Sequence, residues 1–153
     1  MKNKGIALKA RFSEPMNTRA MERELLQDVP PTELIGRLSS ESLQGYLNRM
    51  IGRRGISVDA LAELAALNRA SLYKIMSGVT KHPQRNVLIR LALVLRLGFS
   101  ETQELLHYGG RANLSARRAR DIIISDGIIN GRSIDEVNDR LQAHCYVDLY
   151  SKE

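Results

Sequence analysis

The sequence has few of the residues on which several classes of protein depend. It contains a single cysteine, Cys145, so it has no internal disulfide and fits the reducing cytoplasm. Five tyrosines, two phenylalanines and no tryptophan are too few for a surface that stacks single-stranded bases. No apolar run approaches the roughly 18 residues of a membrane-spanning helix. We therefore expect a cytoplasmic protein without a membrane partner.

Patterns typical of catalytic and metal sites are also missing. The three histidines, His82, His107 and His144, are scattered, and His144 with Cys145 has no second pair to complete a zinc site. No serine lies in a Gly-x-Ser-x-Gly elbow. The glycines occur mainly as helix stops, and none forms a phosphate-binding loop. We therefore expect no enzymatic activity, no metal and no cofactor.

Positive charge is what the sequence has in excess. The 153 residues carry a formal net charge of +6, and the pI is about 9.8, which favours an anionic partner. The length suits one domain with extensions and is sufficient for a real core.

The stretch from Ile56 to Gly78 has the pattern of two short helices joined by a tight turn. Ser57 is a good N-cap for the first helix, and Asn68 is a good N-cap for the second. The inward positions are Leu61, Ala62, Ala65, Leu72 and Ile75. Gly78 ends the second helix, because glycine adopts the left-handed conformation without steric cost. Two helices this short and this close form a helix-turn-helix.

Three further helices are predicted around this motif. Residues 41–54 repeat apolar side chains at the spacing of an amphipathic helix. Residues 84–97 are apolar nearly all round, which predicts the central buried helix. Ser100 with Gln103 has the form of a capping box that opens a fifth helix. The predicted fold is all-α, a five-helix bundle over residues 41–110.

Two segments precede the predicted bundle. Residues 1–20 are a basic tail whose apolar residues follow no clear period, and we expect it to be flexible. Residues 21–40 form a helical lead-in, in which Pro30 and Pro31 end a first helix and one more helical turn follows. The lead-in is net acidic, so we expect it to pack across the bundle or a partner subunit.

Residues 111–153 are predicted to form a helical extension with an isoleucine-rich face. Five isoleucines lie between residues 116 and 129, and the lack of alternation favours a helix there over a strand. A second capped helix follows. The isoleucine-rich face needs cover from the bundle or from a second subunit, so the extension is a candidate for dimerisation.

The order of residues in the central stretch resembles the lambda-repressor-like (XRE-type) DNA-binding domain. The shared residues are Ile-Ser, then Leu-Ala at Leu61 and Ala62, then Leu-Asn-Arg-Ala-Ser-Leu-Tyr-Lys-Ile and a final Gly. The resemblance covers roughly residues 41–108. Val58 stands where the family usually has Gln, and Ala66 where it prefers Gly. A left-handed alanine costs on the order of 1 kcal/mol, so we expect an altered turn.

The resemblance implies that the helix from Arg69 to Ser77 enters the major groove of double-stranded DNA. The residues it implies at base edges are Arg69, Ala70, Ser71 and Lys74. Those it implies at the DNA backbone are Ser57, Asn68, Tyr73, Lys81 and His82. A simpler interpretation is that the charged residues form a solvated helix face. The basic tail has a second interpretation as an arm along the phosphates or in the minor groove.

The expected protein is a bacterial or phage sequence-specific transcription regulator, acting as a homodimer on a two-fold operator. The alternative is an antitoxin-like or adaptor protein-interaction module that keeps the motif for its fold, since a fold does not by itself establish a function. A positive face around the second motif helix favours DNA, and a flat apolar face favours a protein partner.

Overall fold

A computed structural model describes residues 18–38 and 41–152, which contain nine helices and no strand. The helices are α1 (Thr18–Leu26), α2 (Pro31–Gly36), α3 (Leu43–Arg54), α4 (Val58–Leu64), α5 (Arg69–Met76), α6 (Arg85–Val94), α7 (Phe99–Tyr108), α8 (Ala119–Ile129) and α9 (Ile134–Ala143). The predicted all-α fold is confirmed for these residues. No helix among them is long and apolar enough to span a bilayer. The chain divides near residue 40 into two compact units.

The first unit contains α1 and α2. Helix α1 begins at Thr18, so residues 18–20 are helical although the sequence predicts a tail up to residue 20; the rest of that tail lies outside the described residues. The prediction that Pro30 and Pro31 end the first helix is wrong. Helix α1 already ends at Leu26, and Pro31 begins α2, because proline suits a first helical position where no N–H is needed.

In the second unit, the two caps predicted for the helix-turn-helix are confirmed. Ser57 Oγ accepts a hydrogen bond from the Ala60 N–H at 3.1 Å, and Asn68 Oδ1 accepts one from the Ala70 N–H at 2.8 Å. Each cap satisfies a backbone donor that the first helical turn leaves without a partner. Gly78 follows α5 with a φ of 84°, as predicted. The caps therefore set where α4 and α5 begin.

Helix α6 is the central helix of the second unit. It contacts α4, α7, α8 and α9. The helix is shorter than the predicted 84–97, yet Leu95 and Leu97 beyond its end are still buried. Three polar residues are buried on it as well, namely Arg85, Asn86 and Arg90. An apolar run therefore predicted the position of the helix and did not predict its buried polar contacts.

The start of α7 differs from the prediction. Ser100 with Gln103 does not form the capping box; Gly98 is the N-cap, and Glu101 Oε1 accepts a hydrogen bond from its N–H at 3.0 Å. Gln103 instead binds the backbone of Leu114, accepting from its N–H at 2.8 Å and donating to its carbonyl at 3.0 Å. Gln103 thus holds the chain that leads from α7 to α8.

Helices α8 and α9 share the core of the second unit. Helix α8 begins at Ala119 rather than at residue 116 and contacts α6, α7 and α9. Ile124 and Ile128 are buried, with 0% and 5% of their surface exposed. Ile122 and Ile129 are exposed. The inner part of the isoleucine-rich face is therefore covered by helices of the same chain.

A buried ion pair joins α6 to α8. The Arg85 guanidinium donates to both carboxylate oxygens of Asp121 at 3.0 Å. Arg85 Nε also donates to the Ala112 carbonyl at 2.9 Å, and Asp121 accepts from the Ser115 N–H at 3.0 Å. Burial by itself would raise the pKa of Asp121, but the hydrogen bonds from Arg85 and Ser115 outweigh it and hold this pKa below its ordinary value. The first turns of α6 and α8 therefore lie side by side.

We expect Ile128→Asp to unfold the second unit or to lower its melting temperature by roughly 10 °C or more. Loss of a buried isoleucine alone costs about 2–5 kcal/mol, and a carboxylate without a partner adds to that cost. Val79→Asp is the control, since 72% of Val79 is exposed, and it should melt like the wild type. Thermal denaturation followed by circular dichroism measures both. Equal melting of the two variants would contradict this packing.

Candidate nucleic-acid interface

The outward face of α5 carries the residues predicted at DNA bases. The exposed residues are Arg69, Ala70, Ser71 and Lys74. On the inner side, Leu72 and Ile75 are buried in the core with α3 and α4. Because α-helical residues four apart lie on one face, Ala70 and Lys74 follow each other along the exposed surface. All four predicted residues are therefore accessible on α5.

Asp59 in the first turn of α4 contacts two side chains of α5. The Arg69 Nη1 atom lies 3.8 Å from Asp59 Oδ2, and the Tyr73 hydroxyl donates to Asp59 Oδ1 at 3.1 Å. The hydrogen bond to Asp59 raises the pKa of Tyr73. The sequence did not predict this role, because an acidic residue in a first helical turn is an ordinary feature of helices.

The contact between Arg69 and Asp59 is weak enough to be exchanged. Both side chains are largely exposed, at 69% and 48%, and exposed ion pairs are worth about 0–1 kcal/mol. A bidentate arginine–guanine pair provides about 1–3 kcal/mol of discrimination. The ion pair with Asp59 therefore does not prevent Arg69 from binding another acceptor.

Ser57 and Asn68 cap their helices and are also exposed to solvent. Each cap uses only the side-chain oxygen as an acceptor. The hydroxyl hydrogen of Ser57 and the amide hydrogens of Asn68 are therefore chemically available to donate to a phosphate oxygen. Both predicted backbone-contacting residues lie at the N-terminal ends of the motif helices, where positive helix dipoles also favour an anion.

The loop after α5 folds back on the end of that helix. The Thr80 N–H donates to the Lys74 carbonyl at 3.0 Å, and Lys81 follows with an exposed side chain. His82 Nδ1 lies 3.2 Å from the Gly109 carbonyl oxygen. Because a carbonyl only accepts, Nδ1 carries the proton, and Nε2 can donate to a phosphate only when the ring is protonated. Lys81 is therefore the stronger phosphate ligand of the two.

The turn between α4 and α5 keeps its left-handed residue. Ala66 has a φ of 53°, so the prediction of an altered turn is wrong. Arg90 Nη1 donates to the carbonyls of Ala65 and Ala66, at 2.9 and 3.0 Å. Hydrogen bonds from a charged donor contribute about 1.5–3 kcal/mol, which offsets the strain of about 1 kcal/mol at a left-handed alanine. The turn is therefore stabilised from α6.

Arg90 is buried between the turn and the C-terminal segment. Only 7% of its surface is exposed, and burial lowers its pKa. Its guanidinium lies 5.6 Å from the centre of the Tyr150 ring, within the range of a cation–π contact. The sequence did not predict this residue's role, because Arg90 interrupts an apolar run without any local signal.

Charge is distributed unevenly around this face. Residues 64–120 contain ten lysines and arginines against two glutamates, Glu101 and Glu104. Glu101 pairs with Arg53 at 2.5 Å, on α3. Within residues 18–38 and 41–152, no group of three histidine, cysteine or acidic side chains could hold a metal ion. The chemistry that this region offers is therefore attraction of a polyanion.

We expect Arg90→Met to destabilise the protein by about 1–3 kcal/mol, because two carbonyls of the turn lose a charged donor. Ala66→Gly should reduce this loss, because glycine adopts the left-handed conformation without help. Urea unfolding of the two single variants and the double variant measures the coupling. Arg96→Met, at an exposed arginine after α6, is the control and should change stability by less than about 0.5 kcal/mol. Additive effects of Arg90→Met and Ala66→Gly would contradict a role of Arg90 in holding the turn.

Comparison with known families agrees with this geometry. Residues 46–105 match the Cro/C1-type helix-turn-helix DNA-binding domain, a family without enzymatic activity. The matched segment begins within α3, ends within α7 and includes the whole motif. Comparison of the chain with curated proteins and with solved structures gives no match. This match, over 60 of the 153 residues, confirms the resemblance predicted from the sequence.

Proposed function

We propose that the protein is a sequence-specific regulator of transcription that places α5 in the major groove of double-stranded DNA. The observation that supports this most is the exposed face of α5, held on a motif whose caps and turn are all satisfied by named contacts. The surrounding residues 64–120 carry ten lysines and arginines against two glutamates, which favours DNA over a protein partner.

The base-reading roles follow from side-chain chemistry. Arg69 pairs with guanine through its two-pronged donor, which is the commonest specific contact in the major groove. Ala70 contacts a thymine methyl group, and Ser71 donates to or accepts from either purine. Lys74, one turn further along α5, reaches a guanine acceptor. These four residues are the base-contacting set of the proposal.

The backbone contacts set the register of the protein on DNA. Ser57 and Asn68 donate from the starts of α4 and α5, and Lys81 provides a full charge from the loop after α5. The Tyr73 hydroxyl donates a hydrogen bond to a phosphate in place of Asp59. His82, beside Lys81 in the same loop, completes this set. Such contacts raise affinity for all sequences alike.

We further propose that the protein is a cytoplasmic regulator of a bacterium or a phage and that it binds a two-fold operator as a homodimer. Dimers of helix-turn-helix proteins read half-sites about one turn of DNA apart. Ile122 and Ile129 of α8 are apolar and exposed in the single chain, so they are available to a second subunit. Sedimentation of the full chain tests this part of the proposal.

We expect Arg69→Ala to flatten base preference at one base pair per half-site, with a loss of about 1–3 kcal/mol on the preferred sequence. Lys81→Ala should weaken all sequences alike and lower the salt slope by roughly one unit. Selection of bound duplexes from a random pool, followed by a salt titration, measures both. Uniform loss from both variants would refute base reading by Arg69. No loss from either would favour the protein-interaction alternative.

We also expect Asp59→Asn to strengthen DNA binding several-fold at low salt. The change removes a negative charge that competes for Arg69, while the amide oxygen still accepts from the Tyr73 hydroxyl. The gain should shrink as salt screens the charge. Glu136→Gln, which removes an exposed acidic charge on α9, is the control and should change affinity less. Weaker binding by Asp59→Asn would mean that Asp59 positions Arg69 for DNA instead of competing for it.

A further inference from the structure

Three arginines outside the matched Cro/C1-type segment lie in a stretch without acidic residues. They are Arg111, Arg117 and Arg118, and no Asp or Glu occurs between residues 105 and 119. The side chains of Arg117 and Arg118 are exposed and make no hydrogen bond or ion pair with any residue in the described part of the chain. Arg111 donates only to backbone carbonyls, so its charge is not neutralised by an acid.

Hydrogen bonds connect this stretch to the loop after α5. The Arg111 guanidinium donates to the carbonyl of His82 at 2.9 Å and to the carbonyl of Pro83 at 2.7 Å. Lys81 immediately precedes these two residues. The loop is in turn bound to the end of α5 by the hydrogen bond to the Lys74 carbonyl. Arg111 therefore lies beside the loop for which we propose phosphate contacts.

The buried ion pair continues this connection to the start of α8. Arg85, in the first turn of α6, donates to the carbonyls of Ala112 and Asn113 and to Asp121. Asp121 lies in the first turn of α8, three residues after Arg118, which is the N-cap of that helix. The N-terminal ends of α6 and α8 therefore carry these cations at the same end of the second unit.

The acid that acts on these cations is Asp121, which interacts electrostatically with Arg118 as well as with Arg85. Asp121 is 2% exposed and its charge is balanced by Arg85. The other nearby acid, Asp148, accepts from Ser151, Tyr150 and Gln142 within the C-terminal segment. The positive end of the α8 dipole adds to the field of Arg117 and Arg118.

We propose that Arg111, Arg117, Arg118 and Lys81 form a basic ridge that binds the phosphates of duplex DNA next to the site read by α5. The ridge rests on the proposed function, because α5 places it beside the duplex. It extends the contact surface beyond the matched domain and reads no base. It increases affinity, while the preferred sequence stays the same.

The test is the double variant Arg117→Gln/Arg118→Gln in the full chain. The probes are the duplex selected by the wild type, once with about 10 flanking base pairs on each side and once trimmed to the selected bases. On the flanked duplex the salt slope should fall by about 2 and affinity at low salt by roughly tenfold or more. On the trimmed duplex the variant and the wild type should differ little. The selected sequence should be unchanged.

The matched control is Arg96→Gln/Arg132→Gln. Arg96 follows the end of α6, and its Nη1 atom lies beside Gly131, which precedes Arg132 after the end of α8. This pair carries the same charge at the opposite ends of the same two helices, about 15 Å away for a ten-residue helix; it differs in that Arg132 is ion-paired with Asp126 and Glu136. It should bind the flanked duplex like the wild type.

Two results would overturn the ridge. Equal losses from the two double variants would mean a general effect of net charge, and no loss from Arg117→Gln/Arg118→Gln would mean that the ridge does not touch DNA. Either result leaves base reading by α5 intact if the wild type still selects a sequence. A wild type that selects no sequence would instead overturn the proposed function, and one that binds no duplex would overturn both. Melting curves of both variants show that each is folded.

Discussion

The ion pair between Arg85 and Asp121 is the interaction on which the arrangement of the second unit depends. A buried pair of this kind is often no more stabilising than apolar side chains of the same size. Breaking it is different, because one charge stays buried without a partner, at a cost of about 3–5 kcal/mol. The pair therefore specifies one geometry, in which α6 and α8 start side by side. Since the pKa of Asp121 is lowered in the fold, this contribution is present at neutral pH and is lost as pH falls through the acid range.

Arg90, also on α6, likewise specifies one geometry through buried polar contacts. Its two hydrogen bonds hold the carbonyls of the turn between α4 and α5, and its guanidinium faces Tyr150 from the C-terminal segment. The angle between the motif helices and the packing of the last residues are therefore linked through one side chain. Asn86, also on α6, donates to the Ser151 carbonyl at 2.9 Å. The C-terminal segment is thus bound to the helix that supports the DNA-binding motif.

The helix-turn-helix could be predicted from the sequence because its signals are local. Ser57 and Asn68 are N-cap signals and Gly78 is a helix stop signal, and the apolar spacing between them identifies the inner faces. The contacts of Arg85 and Arg90 could not be predicted, because their partners lie 36 and 24 or 25 residues away along the chain. A pattern of residues three or four apart carries no information about such pairs.

The predictions of an altered turn at Ala66 and of a capping box at Ser100 were wrong for a related reason. Ala66 was judged by its own backbone preference, but the donor that offsets its strain belongs to another helix. Ser100 and Gln103 had the right types and spacing for a capping box, yet the helix begins two residues earlier, where Glu101 accepts a hydrogen bond from the N–H of the N-cap Gly98. The base-contacting and backbone-contacting residues stay a prediction. What the structure adds is that Arg69 has a competing partner, Asp59, which no motif reveals.

Charge asymmetry gives the fold a preferred way to approach DNA. Residues 64–120 carry ten cations and two acids, whereas residues 121–148 carry six acids and two arginines. The acidic part includes α9 and the end of α8, and the basic part includes α5 and the loop after it. A polyanion therefore attracts one end of the unit and repels the other, which orients encounters before any base is read. Because a single base contact contributes only about 1–3 kcal/mol, this oriented, salt-dependent attraction has to provide much of the affinity that brings α5 to its site.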